Sequence, residues 1–283
     1  MNQTGHISPE AIATKIQQLP ALSSIVTELL ASMEKDDVDI NLIVTKISHD
    51  QTLTAKALRL ANSSFYGMQY QITSIQEAIS VLGFRSVQTL VTTTAIISSF
   101  TKNHSSIFDF TVFWRHAIAS AICAQEIARF VKINPDKAFT ACLLHDIGKL
   151  VLITTYEEQY TQVLEQQRQS NMSLSLLENK ILGIDHAAVG SALASYWKFP
   201  EEMQHAIASH HTISAENNHP LALILHVADA ITHALDLTDA DDETVPEIND
   251  FAWQQLGLTR QACKKIFSRT EMQFEEICAI LIA

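Results

Sequence analysis

The sequence predicts an all-α protein in which an N-terminal helical subdomain packs on a larger helical bundle. Three observations support this fold class. Glycine and proline are scarce, at 7 and 6 of 283 residues, and helix-forming residues are abundant. Apolar residues recur with helical spacing, and capping residues precede several of these stretches. Hydrophobic residues make up 47% of the chain, which is enough for a core shared by two subdomains.

The N-terminal part is predicted to form short helices joined by turns. Ser8 is placed to cap the first helix. Pro20 opens the second helix, whose apolar stripe runs from Leu22 to Met33. Asp39 caps the third helix. We expect further helices over residues 51–61, 74–82 and 84–99.

Gly83 lies where a helix-ending glycine belongs, and another helix follows at once. This step is compatible with a DNA-binding helix-turn-helix in which Arg85 and Gln88 would contact bases. The formal net charge is −12, however, and the sequence has no dense Lys/Arg cluster. Because nucleic-acid binders normally carry a basic patch, we predict core packing here and no nucleic-acid partner.

The segment NSSFYGMQYQIT, residues 62–73, is predicted to be a polar and aromatic loop. Two interpretations of it stay open. Phe65 and Tyr66 could form part of a surface for a protein partner or ligand. They could equally be packed into the fold, as large aromatic side chains usually are.

A polar, irregular segment over residues 101–110 is predicted to join the two subdomains. Helices are expected near 111–131, 136–153, 156–169, 173–183, 186–197, 200–211 and 220–236. An acidic loop over 236–250 and a short helical pair complete the chain. The predicted units are therefore 1–105, 106–236 and 237–283.

The cysteines and the hydropathy pattern indicate a cytoplasmic protein. The four cysteines contain no C-x-x-C pair, and no secretory leader is recognisable. Reduced, buried thiols are the simplest interpretation of Cys123, Cys142, Cys263 and Cys278. No uninterrupted apolar run reaches the roughly 18–20 residues of a membrane span, so no membrane association is expected.

Histidines are concentrated in one half of the chain, with ten of the 12 between residues 104 and 233. Five successive helical segments there each offer imidazole or carboxylate groups that a bundle can direct inward. These candidate metal ligands are His116, His145, Asp146, His186, His210, His211 and Asp229. The set exceeds the needs of one ion, which predicts two divalent ions with water between them. Imidazole and carboxylate without thiolate favour Fe or Mn, with Zn, Co or Mg as further candidates.

Simpler explanations compete with the metal site. His145 and Asp146 could be a hydrogen-bonded pair that joins two helices. His210 and His211 could merely favour the negative end of a helix dipole. For Asp229, the spacing alone does not decide between a metal and the neighbouring histidines, His226 and His233.

The segments ACLLHDIGKL and RLANSSFYG carry a family resemblance. The first, with one histidine upstream and further His and Asp residues downstream, resembles the HD superfamily of metal-dependent phosphohydrolases. The second, together with ITSIQEAISVLGFRSVQTL, resembles the HDOD family, the HD-related output domain of bacterial signalling proteins. The resemblance spans roughly residues 15–235. It implies an HD-like helical bundle over 106–236, the same seven metal ligands, and a cytoplasmic signalling role with protein partners.

Two functions follow from the resemblance. One is a stand-alone regulatory module, and the other is a phosphohydrolase acting on a nucleotide or other phosphoester. In the second, Asp146 is the candidate bridging ligand and Lys149 would steady the phosphate, so these two are the candidate catalytic residues. His211 is followed by TISAENNHP and not by a Gly-Tyr-Pro signature, which opposes cyclic dinucleotide hydrolysis of the HD-GYP type. Val112 occupies the position of an additional acidic ligand in some relatives, which opposes a third ion.

Overall fold

The computed structural model describes residues 6–19, 22–32, 39–100, 105, 107–170, 172–216, 218–238 and 245–282. Within these residues every regular element is a helix, which confirms the all-α class. The first six are α1 (Pro9–Ile16), α2 (Ser24–Ala31), α3 (Ile40–Ser48), α4 (Gln51–Ala61), α5 (Ile75–Leu82) and α6 (Phe84–Phe100). Then follow α7 (Phe110–Val131), α8 (Pro135–Leu143), α9 (Ile147–Thr155), α10 (Glu157–Arg168) and α11 (Leu174–Leu182). The chain continues with α12 (His186–Tyr196), α13 (Glu201–Ser209), α14 (Pro220–Leu235), α15 (Asp250–Leu256) and α16 (Arg260–Leu281).

Side-chain caps fix the beginnings of the N-terminal helices as the sequence predicts. The Ser8 hydroxyl accepts a hydrogen bond from the Ala11 amide at 3.2 Å, and the Asp39 carboxylate accepts one from the Leu42 amide at 3.1 Å. Pro20 and Met33 lie outside the described residues. Arg85 and Gln88 turn back onto α2, where Gln88 donates to Ser32 Oγ at 2.8 Å and Arg85 to the Ser32 carbonyl at 3.2 Å. Both side chains therefore serve packing, as predicted.

Helix α7 forms the centre of the larger bundle. It packs against α8, α14 and α16, and almost all of its residues from Phe113 to Ala128 are buried. Alanines at positions 117, 119, 121, 124 and 128 let neighbouring backbones approach this helix closely. His116 lies in the buried part of α7, near the start of the helix, and its side chain faces the interior of the bundle.

The predicted single helix over 136–153 is wrong. The structure breaks it into α8 and α9, and His145 and Asp146 lie in the turn between them. Within this turn the amides of Leu144 and His145 bond to carbonyls three residues earlier, at 3.2 and 3.3 Å. The tighter turn rotates the two side chains relative to an α-helix. Both can therefore face the same interior space.

Helices α9 and α12 approach each other through two glycines, Gly148 and Gly190. A Cβ atom placed on Gly148 would lie 2.0 Å from the carbonyl oxygen of His186 and 2.7 Å from the Gly190 amide nitrogen. Only glycine fits at such a backbone contact. The contact holds the beginning of α12, with His186, against the turn that carries His145 and Asp146.

The aromatic loop over residues 62–73 is packed onto the bundle. Phe65 is buried, and its ring contacts those of Tyr66 at 4.9 Å and Phe139 at 5.6 Å between centroids. The packed interpretation of Phe65 is therefore the one that the structure shows. Tyr70, at 54% exposure, is the large side chain that this loop presents to solvent.

Helix α16 lies across both α7 and α4. The Ser64 amide donates to the Glu276 carboxylate at 3.0 Å, and Arg115 pairs with Glu275 at 2.8 Å. Buried Glu126 on α7 pairs with Arg269 at 2.8 Å. The C-terminal helix thus fastens the aromatic loop of the N-terminal part to the central helix of the bundle.

One described stretch, Pro135–Thr155, has the length and mean hydropathy of a membrane span, although His145, Asp146 and Lys149 interrupt it. Its apolar window is 83% buried among the other helices, as in the core helix of a globular bundle. The cysteines are also interior: all four are free and buried. Burial raises the pKa of the Cys123 thiol and of the Cys142 thiol well above the ordinary range.

Candidate metal centre

The structure brings all seven sequence-predicted ligands to one place inside the bundle. Six of the side chains are buried, and only His211 is exposed. The five elements that supply them are α7, the α8–α9 turn, the first residue of α12, the end of α13 and α14. Whether the residues bind ions stays a prediction. Their convergence from separate helices is a property of the fold.

A first group of donors surrounds His116. Its Nε2 atom lies 3.0 Å from Asp229 Oδ1 and 3.9 Å from Asp146 Oδ2. His145 Nε2 lies 3.4 Å from Asp146 Oδ2 and 3.5 Å from Asp229 Oδ1. His116, His145 and Asp146 each offer one ligand atom within 4.8 Å of the others.

A second group lies on the other oxygen of Asp146. His186 Nε2 is 3.1 Å from Asp146 Oδ1, and His210 Nε2 is 3.9 Å from the same atom. His211 Nε2 lies 2.8 Å from His186 Nε2. These four residues also satisfy the 4.8 Å criterion. The two carboxylate oxygens of Asp146 therefore face two different sets of histidines.

The donor set fits divalent cations. The Nε2 atoms of His145 and His210 are buried and make no hydrogen bond with any described residue. Buried polar atoms normally have partners, so two such nitrogens directed into one space fit a bound cation. Imidazole nitrogens and carboxylate oxygens are the donors that Fe, Mn, Zn and Co accept. We conclude that these buried clusters could hold metal ions.

Backbone carbonyls orient two of the histidines. His145 Nδ1 donates to the Cys142 carbonyl at 2.6 Å, and His210 Nδ1 donates to the Ile207 carbonyl at 2.7 Å. A carbonyl oxygen accepts only, so each Nδ1 carries the proton. The Nε2 lone pair of each ring is then free for a cation, which is the arrangement of metal-binding histidines.

Opposite charges are balanced inside the site. Burial alone would raise the pKa of the Asp146 carboxyl, but His145 and Lys149 hold it well below its ordinary value. The hydrogen bond from His116 and the nearby His145 ring likewise outweigh burial and keep the pKa of the Asp229 carboxyl well below its ordinary value. Burial would lower the pKa of His186, but the Glu178 and Asp146 carboxylates raise it to about 9. Burial and the neighbouring histidines lower the pKa of His210 to about 3.

Lys149 lies on Asp146, not in an open anion site. Its ammonium donates to Asp146 Oδ2, and this carboxylate outweighs burial and raises the pKa of the lysine. In the described geometry Lys149 therefore neutralises the shared carboxylate. Its predicted contact with a phosphate remains a prediction.

The sequence interpretation missed one residue of the site, Glu178 on α11. Its carboxylate is fully buried and accepts a hydrogen bond from His186 Nδ1 at 2.6 Å. A signal was present, because Leu174, Leu177, Glu178 and Ile181 follow the helical spacing of an apolar stripe. A carboxylate on such a stripe has to find a partner inside the protein.

Four histidines outside the predicted ligand set differ in their relation to the site: two contact its residues and two lie away from it. His233 Nε2 lies 3.4 Å from Asp229 Oδ1, and His116, Asp229 and His233 form a third group with metal-ligand spacing. His226 supports the site indirectly, because its Nδ1 donates to the His210 carbonyl at 2.9 Å. His205 is exposed on α13, and His219 caps α14.

The metal-free protein is expected to be most stable near pH 6.5. Above that pH, His186 loses the proton that its carboxylate neighbours stabilise, so stability falls as the pH rises through about 9. Below it, histidines of the unfolded chain take up protons that buried His210, with its pKa of about 3, resists in the fold. Thermal unfolding of chelator-treated protein from pH 5 to 9 measures this curve. A melting temperature that does not change with pH would contradict the described charge balance. In His210→Gln, the loss of stability below pH 6.5 should become smaller, and the loss above pH 6.5 should stay the same.

Comparison with known proteins supports the family assignment. The HDOD domain model matches residues 19–213. An uncharacterized protein of Treponema pallidum is 28% identical over 271 residues, which cover 91% of this chain and 51% of that protein. Ribonuclease Y of Mycoplasmoides gallisepticum is 30% identical over 122 residues, 42% of this chain and 18% of that enzyme. The chain thus spans about half, or less, of the length of these two relatives.

Among solved structures, a candidate phosphohydrolase of Shewanella amazonensis is similar over nearly the whole chain. The TM-score is 0.78 at 29% identity, with 95% of this chain and 97% of that protein covered. With the family model matched over more than half of its length, the chain belongs to the HDOD domain family.

Proposed function

We propose that this chain is a cytoplasmic bacterial signalling protein whose HDOD domain holds two divalent metal ions. The observation that carries the proposal is the position of Asp146, whose two oxygens face two separate sets of buried histidines. His116, His145, Asp146 and Asp229 would hold one ion. Asp146, His186, His210 and His211 would hold the other.

A regulatory role is supported by the position of the candidate ligands in the chain. Among the described residues, all donors of the two groups come from α7 and later elements, while α1–α6 supply none. The N-terminal part is nevertheless fastened to the metal-bearing bundle through α16 and the aromatic loop. We infer that the N-terminal helices serve recognition of a protein partner. To test partner recognition, the substitution should be made at exposed Tyr70. A substitution at buried Phe65 would perturb the fold itself.

A phosphohydrolase is the second candidate, and the exposure of His211 favours it. This side chain opens the second group to solvent, while the other six ligands are buried. Two divalent ions, when bound, supply Lewis-acid activation of water and of a phosphoryl oxygen. The residues of this chain would orient the cations, exclude water elsewhere, and place the Lys149 ammonium beside the reacting group. The candidate phosphohydrolase and the ribonuclease among its relatives suggest nucleotides and phosphodiesters as substrates.

The experiment that separates the two candidates is a phosphoester panel with the metal-loaded protein. Nucleotides, bis(p-nitrophenyl) phosphate and a short RNA are incubated with the protein in the presence of Mn²⁺ or Fe²⁺. If the protein is a hydrolase, Lys149→Gln should lower turnover by about 10²–10³-fold, as expected for one electrostatic contact to the transition state. His205→Ala, an exposed change on α13, is the matched control. Two bound ions without turnover of any substrate would support the regulatory role and exclude hydrolysis of this panel.

A further inference from the structure

A buried hydrogen-bond chain, Tyr160–Glu178–His186, lies behind the second group of donors. Glu178 Oε2 accepts from His186 Nδ1 at 2.6 Å and from the His186 backbone amide at 2.8 Å. Glu178 Oε1 accepts from the Tyr160 hydroxyl at 2.9 Å. All three side chains are at most 1% exposed. The carboxylate is thus held by three donors in the interior.

The hydrogen bond that orients His186 differs from those that orient the neighbouring histidines. His145 and His210 donate their Nδ1 protons to neutral backbone carbonyls. His186 alone among these three donates to a carboxylate, which belongs to a different helix, α11. Burying a carboxylate is costly, and an ordinary helix contact does not need one. Its hydrogen bonds to both the ring and the amide of His186 indicate that it serves this residue.

The geometry assigns a direction to the imidazole ring. With Nδ1 on Glu178, Nε2 points at Asp146 Oδ1, 3.1 Å away, and at His211 Nε2, 2.8 Å away. A carboxylate that accepts the Nδ1 proton also raises the basicity of the opposite nitrogen. The ring is therefore both oriented and made a stronger donor toward the second group.

We propose that Glu178, held in place by Tyr160, is a positioning residue for the ion bound by His186, His210 and His211. The proposal rests on the metal function given above. Glu178 is not itself a ligand, because its two oxygens are already engaged by Tyr160 and His186. Its role is to fix the orientation of His186 and to strengthen Nε2 as a donor.

The test compares Glu178→Gln and Tyr160→Phe with a control, Glu126→Gln. Glu126 is also a buried carboxylate, but its partners are Arg129 and Arg269. Ion affinities are measured by competition with a graded series of chelators, using Mn²⁺ and Co²⁺. We expect Glu178→Gln to weaken the second ion by about 10–100-fold and to alter the Co²⁺ absorption spectrum. Tyr160→Phe should act in the same direction with a smaller factor, and Glu126→Gln should leave both readouts unchanged.

A second readout follows the His186 Nδ1 proton by NMR. Its bond to Glu178 should protect it from exchange in the wild type and in Glu126→Gln. In Glu178→Gln the resonance should move upfield and exchange faster, because an amide oxygen accepts more weakly than a carboxylate. If Glu178→Gln destabilises the fold too much for study, Tyr160→Phe keeps the carboxylate and tests the same chain. Unchanged affinity and an unchanged Co²⁺ spectrum in both variants would overturn the positioning role while two-ion binding stands.

The metal-binding function and the positioning role of Glu178 can be disproved independently. If the wild-type protein binds no ion, the metal proposal is wrong, and the Nδ1 resonance alone then decides whether Glu178 orients His186. A wild type without this protected proton would overturn the inference as well.

Discussion

Asp146→Ala is expected to remove both ions and to destabilise the protein. The substitution deletes the one side chain whose oxygens face both groups, at 3.4 Å from His145 Nε2 and 3.1 Å from His186 Nε2. Neither group keeps a complete donor set, so the metal content should fall from about two ions per chain to near zero, as a shared bridging ligand implies.

The loss of Asp146 also leaves buried positive charge without its partner. Lys149 donates to this carboxylate, and the carboxylate helps to keep the pKa of His186 near 9. Removing one member of such a buried set typically costs about 3–5 kcal/mol. Elemental analysis of protein purified without chelators gives the stoichiometry, and urea unfolding gives the free energy.

His205→Ala is the control for Asp146→Ala, since it removes an exposed histidine from α13 without touching the centre. The control should keep its metal and its stability. Two ions retained in Asp146→Ala would exclude the shared position of this residue. Metal-free wild-type protein with an intact fold would contradict the metal centre as a whole.

Among the described glycines, Gly148 is the position where an added methyl group should be most damaging. The added Cβ would lie 2.0 Å from the His186 carbonyl oxygen and 2.8 Å from the His186 carbonyl carbon. These are backbone atoms at the beginning of a helix, so relief requires α9 and α12 to separate. We expect a loss of more than about 4 kcal/mol, or no folded protein, in contrast to the 1–3 kcal/mol of ordinary overpacking.

Two other glycines calibrate the Gly148 prediction. At Gly190 the nearest atoms to an added Cβ are 3.2 Å away, so Gly190→Ala should cost less. Gly83 has φ 86° and ψ 155°, a backbone conformation that is essentially restricted to glycine, but no atom lies within 4 Å of an added Cβ, so Gly83→Ala should cost about 1–3 kcal/mol of backbone strain alone. Urea midpoints of the three variants give the order directly. A Gly148→Ala protein as stable as Gly83→Ala would show that the α9–α12 contact is not a close approach.

The helices themselves were predictable from local chemistry. Ser8 and Asp39 cap helices because their side chains satisfy amides that the first turn leaves unpaired. The periodic spacing of apolar residues fixes which face is buried, and it predicted the extents of α4, α5 and α6 to within about one residue at each end. Such signals depend only on neighbours along the chain, so one sequence contains them.

The break at His145 and Asp146 was not predictable in the same way. Every residue from Ala138 to Leu152 except Lys149 is buried, so the apolar pattern continues across the turn and gives no sign of it. The break depends on tertiary contacts, because the turn lets Asp146 reach histidines on α7 and α12 and lets His145 reach Asp229 on α14. Local propensity is overridden where the interior needs a particular side-chain direction.

The family resemblance was enough to name the candidate ligands, but not the residues that orient them. Glu178 lies on a different helix from the residue it orients, eight positions before His186. Neither spacing nor composition states that this carboxylate turns inward. Its partner Tyr160 is a further 18 residues earlier, and only the packing of α10, α11 and α12 brings the three together.

The side chains of the metal centre come from distant parts of the sequence, and this separation couples metal binding to folding. His116 and Asp229 are 113 residues apart in sequence, so closing that contact in an unfolded chain would carry a large entropic penalty. The proposed ions would therefore bind to the folded bundle and scarcely to the unfolded chain. By mass action, free ion at a hundred times its dissociation constant would add roughly 2.7 kcal/mol per site to the unfolding free energy. If the proposed ions bind, the melting temperature of this protein should rise with the concentration of free metal.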